Sequence, residues 1–340
     1  MVASISVIVI AHDRKKYLPR ALHSIEAQTL DKDKFEVVVV KPFEDKASDD
    51  IISRNGWKNV IVEENAEARH VGGKVSVGVE ESSGDIITIL EDDDVYLHER
   101  LEVIYRSFKS NKSLIHFHNE YGYTDDYGRF LGKREGYHDY RELVVPDVIK
   151  HRVVDSYVKV TLATVFNSAI AIRRDVVEKR IDVLKRLLHI DPYLFYISLI
   201  DEGDLMATSQ ILTLKGINDL GRYHQLSGVL GGMVLSFIQY LNDLAIIGET
   251  GYTKIGCVTC AQLFALRTIE IAAYPNAHKL LGINVRPSML PAFLEALKDM
   301  PPQIRMIVFA DFFLQYAPDP VRRLYHYLRY FLKVLRAASV

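Results

Sequence analysis

The chain has 340 residues, of which 49% are hydrophobic and 25% are charged. This length is comfortable for two domains, and the composition is that of an ordinary globular protein. Lysine and arginine total 42 against 44 aspartates and glutamates, for a net charge of −2. Nucleic acid is therefore not an expected partner, because such binding needs a strong positive field.

Cysteine content and hydropathy both favour a cytoplasmic location. The only cysteines, Cys257 and Cys260, form a C-x-x-C pair without the further ligands of a zinc site, so two small buried side chains are the preferred interpretation. The apolar run Ile5–Ile10 is too short for a signal peptide. The longest apolar stretch, Val229–Ile247, is interrupted by Gln239, Asn242 and Asp243 and is interpreted as a buried helix.

In the first ninety residues, short apolar runs typical of buried strands alternate with segments of helical periodicity. Strands are predicted over Ile5–Ala11, Phe35–Val40, Val60–Glu63 and Asp85–Leu90, with helices over Leu18–Leu30, Ala47–Ser53 and Gly72–Glu81 between them. This alternation predicts an α/β fold with a mainly parallel central sheet.

The pattern changes after this region. A helix is predicted over Leu97–Phe108, a hairpin from Ser113–Tyr123 and Arg129–Leu131, a strand over Asn167–Ile172 and a helix over Asp175–Leu188. Helical periodicity dominates from about Gly228 onward. We therefore predict an α/β domain over residues 1–226 and a helical domain over residues 227–340.

The sharpest feature is a run of four acids, Glu91, Asp92, Asp93 and Asp94, directly after the apolar strand Ile86–Leu90. Four consecutive carboxylates repel one another and favour a bound cation. This edge of an α/β sheet is also where ligands bind, and a divalent ion there could bridge to a diphosphate. The alternative is a solvated acidic loop that caps the following helix.

Two common phosphate-binding patterns do not occur. No glycine-rich turn follows the first strand, and Gly72–Val75 fails the P-loop pattern because no serine or threonine follows the lysine. A metal at the acidic run is therefore the expected partner of any phosphate.

Four segments together resemble the family 2 glycosyltransferases, which have the GT-A fold: Ile5–Arg14, Ala21–Thr29, Phe35–Val40 and Ser83–Asp94. The resemblance covers roughly the first two-thirds of the chain. It implies a GT-A catalytic domain that transfers a sugar, with inversion, from a nucleotide-diphosphate sugar to an acceptor hydroxyl. It also implies a divalent cofactor, Mn²⁺ or Mg²⁺.

The resemblance assigns roles to individual positions. Asp93 is the implied metal ligand, Glu91 and Asp92 lie near the donor ribose and diphosphate, and Ala11 and Asp13 line the nucleotide-base pocket. Glu91 departs from the commoner aspartate but keeps the carboxylate.

A larger departure is Lys41–Asp45, where the family usually has an acidic pair that contacts the base. Asp45 is the residue expected to reach that pocket, and the identity of the nucleotide stays open.

An inverting transfer needs a base for the acceptor hydroxyl, and Asp191 within Ile190–Phe195 matches the context of the family's acidic pair with one acid. The alternative for Asp191 is a helix cap, with Asp201, Glu202 and Asp204 as substitute bases.

Two features near the domain boundary and at the C-terminal end each have two interpretations. The resemblance also implies that His224 joins the metal shell, and the alternative is a structural histidine. The segment Val321–Val340 is basic on one helical face and apolar on another. It predicts either peripheral contact with a membrane, which would suit a lipid-linked acceptor, or a terminal helix packed on the protein.

Two other functions remain as alternatives. A metal-dependent nucleotidyltransferase also uses carboxylates on an α/β sheet, but it would usually show a glycine-rich basic loop. A non-catalytic module that binds nucleotide sugars or carbohydrate is compatible with the single acid at Asp191.

Overall fold

A computed structural model describes residues 4–63, 70–134 and 137–217, with a few isolated positions beyond them. The predicted domain boundary at 226–227, His224 and nearly all of Val321–Val340 lie outside the described residues and stay predictions. Contacts divide the chain into two compact units, Met1–Asn218 and Asp219–Val340, and the first is described below. Within the described ranges, no helix is long and apolar enough to span a membrane.

The strands of the first unit are β1 (Ile5–Ile10), β2 (Phe35–Lys41), β3 (Lys58–Ile61), β4 (Ile86–Glu91), β5 (Val95–Tyr96), β6 (Leu114–Thr124), β7 (Phe130–Lys133), β8 (Glu142–Val145), β9 (Ile170–Arg173) and β10 (Asp204–Gly216). The helices are α1 (Leu18–Glu26), α2 (Lys46–Arg54), α3 (Val71–Glu80), α4 (Arg100–Ser110), α5 (Lys150–Thr161), α6 (Arg174–Glu178), α7 (Ile181–Leu184) and α8 (Asp191–Ile200). Single 3₁₀ turns cover Lys32–Lys34, Asp147–Ile149 and Asn167–Ala169.

All the strands belong to one sheet with the order β3-β2-β1-β4-β9-β6-β10-β5, while β7 pairs with β6 and β8 with β10. The first four strands pair in parallel, as predicted. Beyond β4 the sheet is mixed, because β9 runs antiparallel to both β4 and β6, and β6 is parallel to β10. The predicted α/β class is confirmed, with the parallel part confined mainly to the N-terminal half.

The predicted elements of the first ninety residues are confirmed, with boundaries shifted by a few residues. The hairpin is confirmed as β6 and β7, where Gly122 pairs with Lys133. The single helix predicted over Asp175–Leu188 is wrong in detail, since α6 and α7 are two short helices separated near Arg180.

Strand β1 is buried over its whole length because helices cover both of its faces. Leu18, Leu22 and Ile25 of α1 are buried in the core that also contains Val7 and Val9. Helix α3 contacts β1 as well. Because β1, β2 and β4 pair in parallel, their carboxyl ends lie at one edge of the sheet.

The glycines of α3 permit close packing. A Cβ atom at Gly78 would lie 2.3 Å from Cγ2 of Ile8 in β1, and one at Gly72 would lie 1.9 Å from the carbonyl oxygen of Leu184. Glycine is therefore needed at these two positions of the helix, because a side chain there would collide with a neighbouring segment.

We expect Gly72→Ala to lower the free energy of unfolding by about 1–3 kcal/mol, because the overpacking cost exceeds any gain in helix propensity. Urea denaturation measures this change. Ser53→Ala, at an exposed position of α2, is the control and should stay within about 0.5 kcal/mol of wild type. A Gly72→Ala protein as stable as that control would contradict the packing described here.

Candidate active site

The acidic run forms a tight loop between β4 and β5. The Asp94 N–H donates to the Glu91 carbonyl oxygen at 3.1 Å and closes the turn. Carboxylate oxygens of Glu91, Asp93 and Asp94 all lie within 4.8 Å of one another. Three of the four acids singled out in the sequence are thus brought together.

Asp92, the fourth acid, contacts the loop after β1. It is fully buried and accepts a hydrogen bond from the His12 N–H at 3.1 Å. Arg14 Nη2 lies 2.6 Å from Asp92 Oδ1, and Nη1 of the same guanidinium contacts the Asp93 carboxylate. Arg20 Nη2 donates to the Asp93 carbonyl oxygen at 2.7 Å, so two arginines hold the acidic loop.

The 3₁₀ turn before β9 contacts the loop from the other side. The Ser168 hydroxyl donates to Asp94 Oδ2 at 2.6 Å and accepts from the Glu91 N–H at 3.0 Å. Asn167 Nδ2 donates to Glu91 Oε1 at 2.7 Å. Each acid is therefore oriented by a partner more than seventy residues away in sequence.

The end of β10 closes the site. The Gly216 N–H donates to Asp94 Oδ1 at 3.0 Å, and a Cβ atom at Gly216 would lie 2.2 Å from the Asp93 carbonyl oxygen. Glycine is required at this position because β10 approaches the acidic loop so closely.

Carboxylates outnumber cationic side chains at the site. Burial raises the pKa of Glu91 and of Asp94, and neighbouring carboxylates raise both further. Burial also raises the pKa of Asp92 to about 7, although Arg14 opposes this shift. Burial alone would lower the pKa of Lys215, but the charges of Asp94 and Glu91 raise it above its usual range.

This environment fits a divalent cation. Hard cations such as Mg²⁺ and Mn²⁺ prefer carboxylate oxygens, and a cation removes the repulsion between crowded acids. The residues that would hold it are Glu91, Asp93 and Asp94. The sequence predicted Asp93 in this role, while the convergence of Asp94 on the same point is a structural finding.

Asp191 begins α8, and its carboxylate accepts a hydrogen bond from the Phe166 N–H at 2.8 Å. Phe166 has a φ of 78°, an uncommon conformation for a residue other than glycine. Because Asn167 and Ser168 bind the acidic loop, the turn Phe166–Ser168 connects Asp191 to Glu91 and Asp94. Burial raises the pKa of Asp191, which the Phe166 N–H partly offsets.

The substitute bases lie elsewhere. Asp201 pairs with Arg180 and with Lys179 (3.1 Å), and these partners hold its pKa low despite burial. Asp204 begins β10 while Gly216 ends it, a separation on the order of 40 Å along the strand. Among the acids predicted as the base, Asp191 is therefore the one that the structure connects to the acidic loop.

The residues predicted to line the base pocket follow β1 and β2 at the same sheet edge as the acidic loop. Ala11 is buried, and its N–H donates to the Val40 carbonyl oxygen at 3.0 Å, while Asp13 is exposed. Asp45 caps α2 by accepting from the Ser48 N–H at 3.1 Å. Their contact with a nucleotide stays a prediction.

Sequence reasoning gave no role to Arg14, Asn167, Ser168 or Lys215. Arg14 ends the segment Ile5–Arg14 that resembles the family, and Lys215 directly follows a short apolar run. A charged residue shortly after an apolar run was therefore the available signal for both. No local signal marks Asn167 or Ser168, because their importance arises from contacts with a distant loop.

A mixed sheet with a parallel N-terminal half and a carboxylate loop at the end of β4 is the architecture of the GT-A fold. The model of glycosyl transferase family 2 matches residues 6–181, about half of the chain. The chain belongs to this family.

Solved structures with the same fold include S. aureus TarS, at 15% identity and a TM-score of 0.53, covering 95% of this chain and 54% of TarS. This chain thus spans about half the length of TarS. TarS 1–349 in complex with UDP-GlcNAc matches at 15% identity and a TM-score of 0.54, covering 95% of this chain and 89% of that one. The complex of TarS 1–349 with UDP matches at 16% identity and 0.53, with the same coverage. No curated protein sequence matches the chain.

Proposed function

We propose that this protein is a metal-dependent, inverting glycosyltransferase that moves a sugar from a nucleotide-diphosphate sugar to an acceptor hydroxyl. The observation that carries the proposal is the position of Asp191 across the turn Phe166–Ser168 from the three convergent carboxylates. A donor diphosphate and an acceptor base are both required for this transfer, and one site holds groups suited to each.

The donor end of the site is the acidic loop. Glu91, Asp93 and Asp94 would hold a divalent ion, which would neutralise the charge that develops on the leaving diphosphate. Arg14 and Lys215 add positive charge beside the same carboxylates. The nucleotide complexes of TarS support a nucleotide-sugar donor.

The acceptor end of the site is Asp191. Its carboxylate takes the proton of the acceptor hydroxyl as that oxygen bonds to the sugar and the bond to the diphosphate breaks. A single displacement from the side opposite the leaving group inverts the configuration. Burial raises the pKa of Asp191, which makes its carboxylate a stronger base for this proton than that of an exposed aspartate. The acceptor is a glycan, a polysaccharide or a lipid-linked sugar.

We expect one class among UDP-, GDP-, CDP- and dTDP-sugars to raise the melting temperature, and to do so only with Mn²⁺ or Mg²⁺. Ligand at 100 times its Kd stabilises the folded state by about 2.7 kcal/mol. A thermal-shift panel with each metal, and with EDTA as the control, measures the effect. No stabilisation by any nucleotide sugar would contradict the proposal.

The same samples separate an enzyme from a non-catalytic module. An enzyme should release free sugar slowly from the bound donor in the presence of the metal, with water replacing the acceptor. Metal-dependent binding without any release or transfer would favour the binding module instead.

A further inference from the structure

Asn167 has one hydrogen-bonding group in use and one without a partner. The residue is 8% exposed, and its Nδ2 donates to Glu91 Oε1 at 2.7 Å. Its Oδ1 is buried and accepts no hydrogen bond from the described residues. A buried acceptor without a partner is uncommon in folded proteins and points to a group that arrives with a ligand.

The orientation of this amide is determined by its surroundings. Nitrogen and oxygen of an asparagine amide are assigned from the hydrogen-bond network, and a flipped Asn167 would place Oδ1 against the Glu91 carboxylate. Two acceptors would then face each other. The backbone is anchored on both sides, by Phe166 N–H on Asp191 and by the Ser168 hydroxyl on Asp94, so Asn167 keeps this position.

The location of Asn167 indicates which ligand group it meets. The transferred sugar must lie between the diphosphate at the acidic loop and the base that activates the acceptor. Asn167 binds Glu91 on the first side and directly follows Phe166, which binds Asp191 on the second. Phosphate oxygens only accept hydrogen bonds, whereas the hydroxyl groups of a sugar donate them.

We propose that Asn167 is a specificity-determining residue whose Oδ1 accepts a hydrogen bond from a hydroxyl group of the transferred sugar. This inference rests on the proposed function. Nδ2 at the same time orients Glu91, so one side chain links recognition of the sugar to the geometry of the acidic loop.

The test compares a nucleotide sugar with its nucleoside diphosphate, using calorimetry with Mn²⁺ present throughout. UDP-GlcNAc with UDP is the first probe pair, and GDP-mannose with GDP the second if the wild type prefers guanosine. Asn167→Ala should weaken the nucleotide sugar about tenfold more than the diphosphate, as expected for one hydrogen bond to a buried acceptor. Any disturbance of Glu91 or of the metal affects both ligands equally and cancels in this ratio.

Ser168→Ala is the matched control. It removes the hydroxyl bound to Asp94 but has no predicted contact with the sugar, so both ligands should weaken by the same factor. Equal losses in Asn167→Ala would overturn the inference and reduce Asn167 to a residue that positions Glu91.

A second measurement uses the wild-type protein and does not depend on the folding of a variant. Donor analogues that each lack one sugar hydroxyl should include one that binds about tenfold more weakly than the parent. Full affinity for every such analogue would also overturn the inference. If the wild type binds the parent donor while these tests fail, the proposed function stands and only the role of Asn167 is lost.

Discussion

Asp191→Asn is expected to leave donor affinity nearly unchanged and to lower the rate of transfer by about two to four orders of magnitude. Asparagine is nearly isosteric with aspartate, so its Oδ1 can still accept the hydrogen bond from the Phe166 N–H. It cannot take the proton of the acceptor hydroxyl. The loss should therefore appear in kcat, with little change in the affinity for nucleotide sugar.

The measurement is a transfer assay beside calorimetry with the donor. Asp175→Asn is a matched control, because Asp175 is also an acid in the first turn of a helix but is exposed and remote from the acidic loop. Wild-type turnover by Asp191→Asn would move the base to another residue.

The dependence of kcat on pH gives a second readout of Asp191. A base acts only when it is deprotonated, so activity should fall as the pH drops through its pKa. Burial raises that pKa, which places the acidic limb above the range of an ordinary aspartate. Alkaline pH should not restore activity to Asp191→Asn, because a carboxamide does not ionise to a base in the accessible pH range.

Asp93→Asn is expected to weaken metal-dependent donor binding by at least about 100-fold while leaving the fold intact. A neutral amide is a poorer ligand for a hard cation than a carboxylate. The substitution removes a negative charge beside Glu91 and Asp94 but also weakens the ion pair with Arg14. These two effects oppose each other, so the melting temperature of the metal-free protein should stay close to that of wild type.

Calorimetry with Mn²⁺ and the donor, together with the melting temperature in EDTA, measures both effects. Asp50→Asn, an exposed acid of α2, is the control and should behave as wild type. A folded Asp93→Asn protein with unchanged metal-dependent binding would remove Asp93 from the metal site.

Local patterns were sufficient for the N-terminal half of the fold. Strands β1, β2 and β4 are continuous apolar runs buried on both faces, and this burial is visible in the sequence because it needs no knowledge of the partner strand. The extent of strand β10, Asp204–Gly216, is not visible in this way, because its pairing with β6 continues through an irregular register.

The position of the acidic loop was also predictable from the sequence, because it depends only on the buried strand before it. A run of carboxylates that directly follows a buried strand must lie at the sheet edge, whatever else surrounds it. The resemblance to a known family then supplied roles for single residues such as Asp93 and Asp191, and these roles remain proposals.

Only the tertiary structure decided how the candidate site is built. Asp92 turns to Arg14 while its three neighbours converge, although all four acids look alike in the sequence. Asn167 and Ser168 reach Glu91 and Asp94 across more than seventy residues. Periodicity reports whether a residue is buried locally, but contacts between distant segments depend on the order and direction of strands in the sheet, which no local pattern contains.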